Sequence, residues 1–329
     1  MEKLIDQLLQ SSEPSIRYKI RTQVLGEDPD SQAIRTLRQE IKHSRRVADL
    51  LRNRDAVGQL EPVRNPYQKW TGAHWVLATL ADLGYPRNDP DLLPVIDQVL
   101  RCWLHPDYDR KVPQIEGKYR RCASQHSNIL LAVLRLSDYH QEHARHLAQL
   151  LLKWQWPDGG WNCDVRPQAR VSSFWESWIP LRALALYARQ TQDLAALAAS
   201  QRAAAVFLSR HLYRKRSTGA IMQPEFVKLH YPCYWHYDIL AGLKAMAEAG
   251  CINRPECAAA LDLLEAKQLP GGGWPAEARY YRLLKTTPAK PVSNVELVDW
   301  GGCSRGKMNE WVTADALYVL KEAGRLNGR

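Results

Sequence analysis

Eight polar residues recur close to where helices of this chain should begin: His74, His126, Asn128, Glu176, His236, Asp238, Asn309 and Glu310. An imidazole titrates near neutral pH, so it can take a proton and return it, and a neighbouring carboxylate can orient it. His126, Glu176, His236, Asp238 and Glu310 are therefore the candidates for acid–base catalysis. Aromatic residues crowd the same stretches: Trp70, Trp175, Trp178, Tyr234, Trp300 and Trp311. With His74, Asn128 and Asn309 they are the candidates for holding a substrate, because aromatic faces suit an apolar molecule or a developing positive charge. A mostly apolar pocket with a few convergent polar groups is the usual form of a small-molecule site.

The same residue types support other chemistry. Two of His74, His126 and His236 with one carboxylate would make a metal site. No local spacing such as HExxH accompanies them, so neither metal nor cofactor is expected. Glu176 with Glu310 or Asp238 could be the carboxyl pair of an acidic-polysaccharide lyase or glycosidase. A structural reading also exists: Ser172 and Ser173 as helix N-caps, Glu176 completing a capping box, and tryptophans at helical spacing as core.

These residues need helices to position them, and the chain supplies helices in a repeat of about 55 residues. Gln155-Trp156-Pro157-Asp158-Gly159-Gly160-Trp161 matches Gln268-Leu269-Pro270-Gly271-Gly272-Gly273-Trp274. Proline and adjacent glycines stop a helix and force a turn. Leu77-Ala78-x-Leu80 recurs as Leu131-Ala132-x-Leu134, Leu181-x-Ala183-Leu184, Leu240-Ala241-Gly242-Leu243 and Ala314-x-x-Leu317. Apolar residues at i, i+3 and i+4 indicate helices, and the alanines indicate close packing on several sides. Aligning these helices puts His74, Asn128, Trp178, Tyr237 and Trp311 at equivalent positions, with Ile16 as the sixth. More polar partner helices are expected at about 1–10, 31–53, 90–103, 140–154, 193–212 and 254–267. The result is an all-α fold, an (α/α)6 toroid of six helical hairpins, as a single domain over 1–329. An irregular insertion at 276–307 is expected to cover one mouth, with Trp300 reaching inward.

The bulk composition is that of an ordinary globular protein, with 45% apolar and 24% charged residues. The first fifteen residues read as a helix, so no secretory signal is expected, and no apolar run is long enough for a membrane span. Seven dispersed cysteines without a CxxC pair read as reduced thiols, so a cytoplasmic location is expected. The net charge of +10 has no nucleic-acid motif beside it, so the expected partner is a small-molecule substrate and not DNA or RNA.

The Gln-x3-Gly-x-Trp pattern at 155–161 and 268–274 resembles the QW repeats of terpenoid cyclases. Similar glycine-rich turns occur in the toroids of protein prenyltransferase beta subunits, and residues 230–243 are loosely similar to their last zinc-side helix. The chain as a whole resembles bacterial proteins labelled prenyltransferase or squalene oxidase repeat proteins, over about 50–325. The resemblance implies the toroid. It does not carry the activity: the DxDD acid of squalene–hopene-type cyclases is missing, Asn162-Cys163-Asp164 does not replace it, and DDxxD is missing too. Asp299 and Cys303 are four apart and fit a prenyltransferase zinc site poorly. The expectation is thus an enzyme or binder of a small, largely apolar or aromatic molecule, with His126, Glu176 and His236 facing one cavity. A non-catalytic helical-repeat scaffold remains the alternative of another class.

Overall fold

The computed structural model describes residues 1–106, 111–286 and 292–326. Among these the protein is mostly helical, and its strands are four two-residue pieces. The helices are α1 (Glu2–Leu9), α2 (Pro14–Lys19), α3 (Gln32–Lys42), α4 (Arg45–Leu50), α5 (Ala73–Leu83), α6 (Leu93–Trp103), α7 (Ala123–Leu136), α8 (Gln141–Trp154), α9 (Phe174–Thr191), α10 (Leu194–Leu208), α11 (Ile239–Glu248), α12 (Ala258–Ala266) and α13 (Glu310–Glu322). Strand β1 (Gln114–Ile115) pairs antiparallel with β2 (Lys118–Tyr119), and β3 (Arg282–Leu283) pairs parallel with β4 (Val295–Glu296).

Two classes of helix follow from two sequence patterns. In α7 nearly every side chain is buried, and in α9 every one from Ser177 to Ala188 except Leu186, as expected of helices covered on all sides. In α3 only Ile34, Leu37 and Ile41 are buried, a single stripe at i, i+3 and i+7. The fully covered helices contact one another in sequence order: α2 with α5, α5 with α7, α7 with α9, α9 with α11, and α11 with α13. Helix α13 then packs back on α2. Each of the first five carries a less buried partner, namely α3, α6, α8, α10 and α12, and α1 packs on α2, although α10 and α12 are as apolar as the helices they cover, contrary to the expected polar layer. Buried apolar side chains from Leu4 to Leu320 form one contiguous cluster.

Several boundaries differ from the sequence expectation. The helix expected at 31–53 is broken into α3 and α4, because Ser44 caps a new helix by accepting from the Val47 amide. Residues 193–212 shorten to α10, and 254–267 becomes a 3-10 turn followed by α12. The fifth inner helix starts at Ile239 and not at Tyr234, because Asp238 is its N-cap. Residues 287–291 of the expected lid lie outside the described residues.

The two glycine-rich turns are one structure built twice. The Trp156 amide donates to the Gly160 carbonyl at 2.8 Å, as Leu269 does to Gly273 at 2.9 Å. The indole of Trp161 donates to the Leu151 carbonyl at 3.0 Å, as that of Trp274 does to Leu264 at 2.7 Å. The Trp161 amide donates to Ser177 Oγ on α9, and the Trp274 amide to Thr313 Oγ1 on α13. The tryptophan carbonyls accept from the cap residues Ser173 and Asn309. Each turn therefore ties the end of an outer helix to the start of the next inner one. Gln155 extends the first tie sideways, donating to the Ala199 carbonyl of α10. These bonds also correct the alignment. Ser173 matches Asn309 and Ser177 matches Thr313, so Trp311 corresponds to Trp175 and not to Trp178, a shift of one helical turn.

Gly160 tests this packing. A Cβ there would lie 2.5 Å from Ser177 Oγ and 2.6 Å from Ser172 Cβ. Gly160→Ala should cost about 1–3 kcal/mol by overpacking. Gly306→Ala, with nothing within 4 Å, should stay within about 0.5 kcal/mol. Urea unfolding of the two variants reads the difference, and equal stabilities would show that the turn is not close-packed.

Candidate functional site

Residues of α5, α7, α9, α11 and α13 line a cavity of about 80 Å³, room for several waters or a compact ligand. Thr79 and Asp82 of α5, Asn128 and Arg135 of α7, and Trp178 and Arg182 of α9 line it. Lys244 of α11, Asp315 of α13 and the segment His230–Tyr234 complete the wall.

Charge gathers at one part of this wall. Lys19, the last residue of α2, is fully buried and lies 2.7 Å from Asp82 and 3.1 Å from Asp315. Lys244 lies 3.2 Å from Asp82 and 2.8 Å from Asp315, closing a four-membered cycle of alternating sign. The Tyr231 hydroxyl donates to Asp82 at 3.0 Å. Arg182 grips Glu248 with Nε and Nη2, the latter at 2.8 Å, and Arg135 reaches the same carboxylate at 3.3 Å. Burial would raise the Asp82 carboxyl, but Lys19 and Lys244 hold it well below the usual range. Burial would lower the Lys244 ammonium, but Asp315 and Asp82 raise it.

A second grouping sits in the segment before α11. Asp238 caps that helix by accepting from the Ala241 amide at 2.8 Å. Its other oxygen accepts the His230 amide at 2.9 Å and lies 2.7 Å from His230 Nδ1. The imidazole is thereby oriented, and its Nε2 is buried without a hydrogen-bond partner. Asn128 Nδ2 is likewise buried and unpartnered. Tyr234 stacks on Trp70 with centroids 4.0 Å apart and donates its hydroxyl to the buried Glu296. Tyr231 stacks on Trp311 at 5.0 Å.

Of the residues expected from sequence, Asn128, Trp178 and Tyr234 line the cavity. His126, Glu176 and His236 are not brought together there, which corrects the expectation of one shared cavity. His126 is buried edge-on against Trp154. His236 is sandwiched between Trp235 and Tyr280, both with centroids at 4.0 Å. Burial, with His230 nearby, lowers the His236 imidazole to about 3, and burial lowers His74 to about 3. His74 stacks on Trp103 at 4.9 Å. Glu176 does not complete a capping box with Ser173: its Oε2 accepts from the Ser124 amide of α7 at 3.1 Å, and its Oε1 lies 3.5 Å from Cys163 Sγ. Burial pushes the Glu176 carboxyl up.

The remaining candidates have structural partners. Glu310 accepts from Ser11 at 3.0 Å, tying α13 to the α1–α2 link. Asn309 caps α13 and donates to the Trp300 carbonyl at 2.7 Å. Trp70 donates to the Tyr280 carbonyl, and Trp300 is buried against Tyr231 and Trp311. Trp175 is partly exposed, its edge towards Phe226 and Trp235. Sequence reasoning missed Lys19, Asp82, Arg135, Arg182, Lys244, Glu248, Asp315 and His230. Asp82, Arg135, Arg182, Lys244 and Asp315 had a readable signal, a charge set among Ala and Leu inside a helix, as in Leu80-Ala81-Asp82-Leu83 or Gly242-Leu243-Lys244-Ala245, whereas Lys19 in Pro14–Lys19 had none.

No protein-family model matches the chain, and no curated protein matches it. Among the described residues, no helix is long and apolar enough to cross a membrane.

Glu248 gives a pH test of the charged wall. Burial would raise its carboxyl above the ordinary 4.5, but Arg182 holds it down to about 2. A depressed carboxylate stabilises the fold above its unfolded pKa, and that contribution is lost as pH falls through the folded value. The contribution at neutral pH is on the order of 3 kcal/mol. Urea midpoints of wild type and Glu248→Gln should therefore converge as pH falls from about 4.5 to about 2. A gap constant with pH would show that the pair is not ionised in the fold.

Proposed function

We propose that the protein is an (α/α)6 toroid of the terpenoid-cyclase and prenyltransferase type, and that its central cavity does acid–base chemistry on a small, largely apolar or aromatic molecule. The closed order of helix contacts from α2 through α13 and back supports the toroid, as does the repeated Gln-Trp turn. The observation that carries the chemistry is the His230–Asp238 pair: a buried carboxylate holds Nδ1, and Nε2 is left without a partner on a residue of the cavity wall.

A neutral His230 that donates Nδ1–H to Asp238 keeps its Nε2 lone pair as a base. Taking a substrate proton there creates an imidazolium, which the Asp238 carboxylate stabilises. Trp178, Tyr231 and Tyr234 supply aromatic faces for the substrate, and Asn128 Nδ2 supplies a donor for a substrate oxygen. In and beside the wall, four cations (Lys19, Arg135, Arg182, Lys244) are balanced by four carboxylates (Asp82, Asp238, Glu248, Asp315). That balance leaves no net charge to recruit an ion, which suits a largely apolar ligand. The small volume favours a compact molecule over a glycan chain. Seven free cysteines fit a cytoplasmic location.

A thermal-shift screen of compact aromatic and apolar compounds bearing one oxygen acceptor tests the proposal, with hits followed by calorimetry and by mass spectrometry for turnover. Trp178→Ala should weaken binding at least about tenfold, worth roughly 1.4 kcal/mol. His230→Gln should bind within a few-fold of wild type and lose about 10²–10⁴ in turnover. Full turnover in His230→Gln removes the base, and unchanged binding in Trp178→Ala moves the site elsewhere.

A further inference from the structure

Outside the cavity, three potential ligands from three distant parts of the chain converge. Cys122 is the N-cap residue of α7, Glu176 stands in the first turn of α9, and Cys163 lies in the loop between α8 and α9. Their two thiol sulfurs and one carboxylate oxygen all lie within 4.8 Å of one another. We propose that Cys122, Cys163 and Glu176 bind a single zinc ion, with the fourth position open to water.

Donor chemistry selects the metal. Two thiolates and a carboxylate are soft enough for zinc and too soft for calcium or magnesium. In a tetrahedral zinc site with sulfur about 2.3 Å and oxygen about 2.0 Å from the ion, ligand atoms stand about 3.5–3.8 Å apart. Cys163 Sγ and Glu176 Oε1 are already at 3.5 Å, so only the remaining pairs need to close, by up to about an ångström. Glu176 is also held from behind. Its second oxygen accepts the Ser124 amide at 3.1 Å, leaving Oε1 for the thiol side, which is how outer bonds orient a ligating carboxylate. On binding, each thiol releases its proton to solvent, and the two thiolates and the carboxylate leave the site with one net negative charge. The N-cap of α7 at Cys122 and the first turn of α9 that carries Glu176 place two positive helix ends beside it.

The site does not belong to the cavity. None of Cys122, Cys163 and Glu176 is among the residues lining it, and the three are only partly buried, so an ion can reach them from solvent. It explains why Glu176 turns towards α7 and away from its own helix start. It also ties the loop after the first Gln-Trp turn to two inner helices, a link the second turn does not have: the residues matching Cys163 and Glu176 there are Ala276 and Val312.

The test uses the full chain, untagged, reconstituted with zinc and then dialysed into metal-free buffer. Elemental analysis should find about one zinc per chain in wild type and essentially none in the Cys122→Ser/Cys163→Ser double variant. Circular dichroism identifies a variant that has failed to fold, and cobalt-loaded wild type then decides alone: tetrahedral thiolate coordination gives sulfur-to-cobalt charge-transfer absorption. Glu176→Gln should keep that absorption while losing metal affinity at least about tenfold. Three results overturn the proposal: no zinc in reconstituted wild type, equal zinc in the folded double variant, or cobalt absorption without the charge-transfer band. Failure to take up zinc after full reduction of a Cys122–Cys163 disulfide formed in air overturns it as well.

Discussion

Lys19 is a charge with no route to water. An ammonium buried without partners costs several kcal/mol or loses its proton, so the fold must bring carboxylates to it. The two that arrive, Asp82 and Asp315, stand 63 and 296 residues further along the chain. Because α2 meets both α13 and α5, pairing Lys19 also draws helices from the two ends of the chain together. The two aspartates then leave a negative surplus, which Lys244 removes from α11. Arg182 and Arg135 pair with Glu248 nearby, so all six inner helices contribute to one charged wall. Apolar residues of similar volume would hold such a centre at least as well. The charge is therefore better understood as a property of the cavity than as a source of stability.

The outer parts do the holding. Each Gln-Trp turn satisfies its own amides and places an indole N–H on the carbonyl of the preceding helix. It hands its tryptophan amide to a hydroxyl four residues past the next helix cap. That arrangement fixes where α9 and α13 start, and so which of their residues reach the centre. The segment before α11 and the stretch Val295–Trp300 interlock through Tyr234 to Glu296 and Tyr231 against Trp300, with Trp70 stacked behind Tyr234 and Trp311 behind Tyr231. Tyr231 and Tyr234 are held from behind by these contacts, which leaves their inner sides to the cavity.

The helices were legible because burial on all sides and burial on one stripe write different patterns, as α9 and α3 show. The paired turns were legible because glycine, proline and tryptophan at fixed offsets have few other uses. Register along each helix was harder. Trp178 and Trp311 look equivalent as tryptophans, yet the bonds of Ser177 and Thr313 set them one turn apart. An apolar helix buried all round has no polar face to mark its phase, so side-chain type alone misplaces it by a turn. His230 was illegible for another reason. It lies in no periodic element, and its partner is reached because the chain folds back over eight residues to the helix cap at Asp238.

Residue type misled most where helices begin. Asp238, Asn309, Glu310 and Glu176 are the acids and amides a reader expects to do chemistry, and in the fold each has hydrogen bonds to make: to Ala241, to Trp311 and Val312, to Ser11, and to Ser124. The first turn of a helix leaves amides without partners, and short polar side chains are drawn there to serve them. What separates a site from a cap is spare bonding capacity held in place by something else. By that measure His230 qualifies because Asp238 serves both the helix and the imidazole. Asn128 qualifies because its amide nitrogen is buried without an acceptor. Glu176 qualifies at a second place, where one oxygen is fixed by Ser124 and the other faces two thiols. The cap bond is what makes the remaining atom available, so anchoring a helix and presenting a reactive group are a single arrangement in this chain.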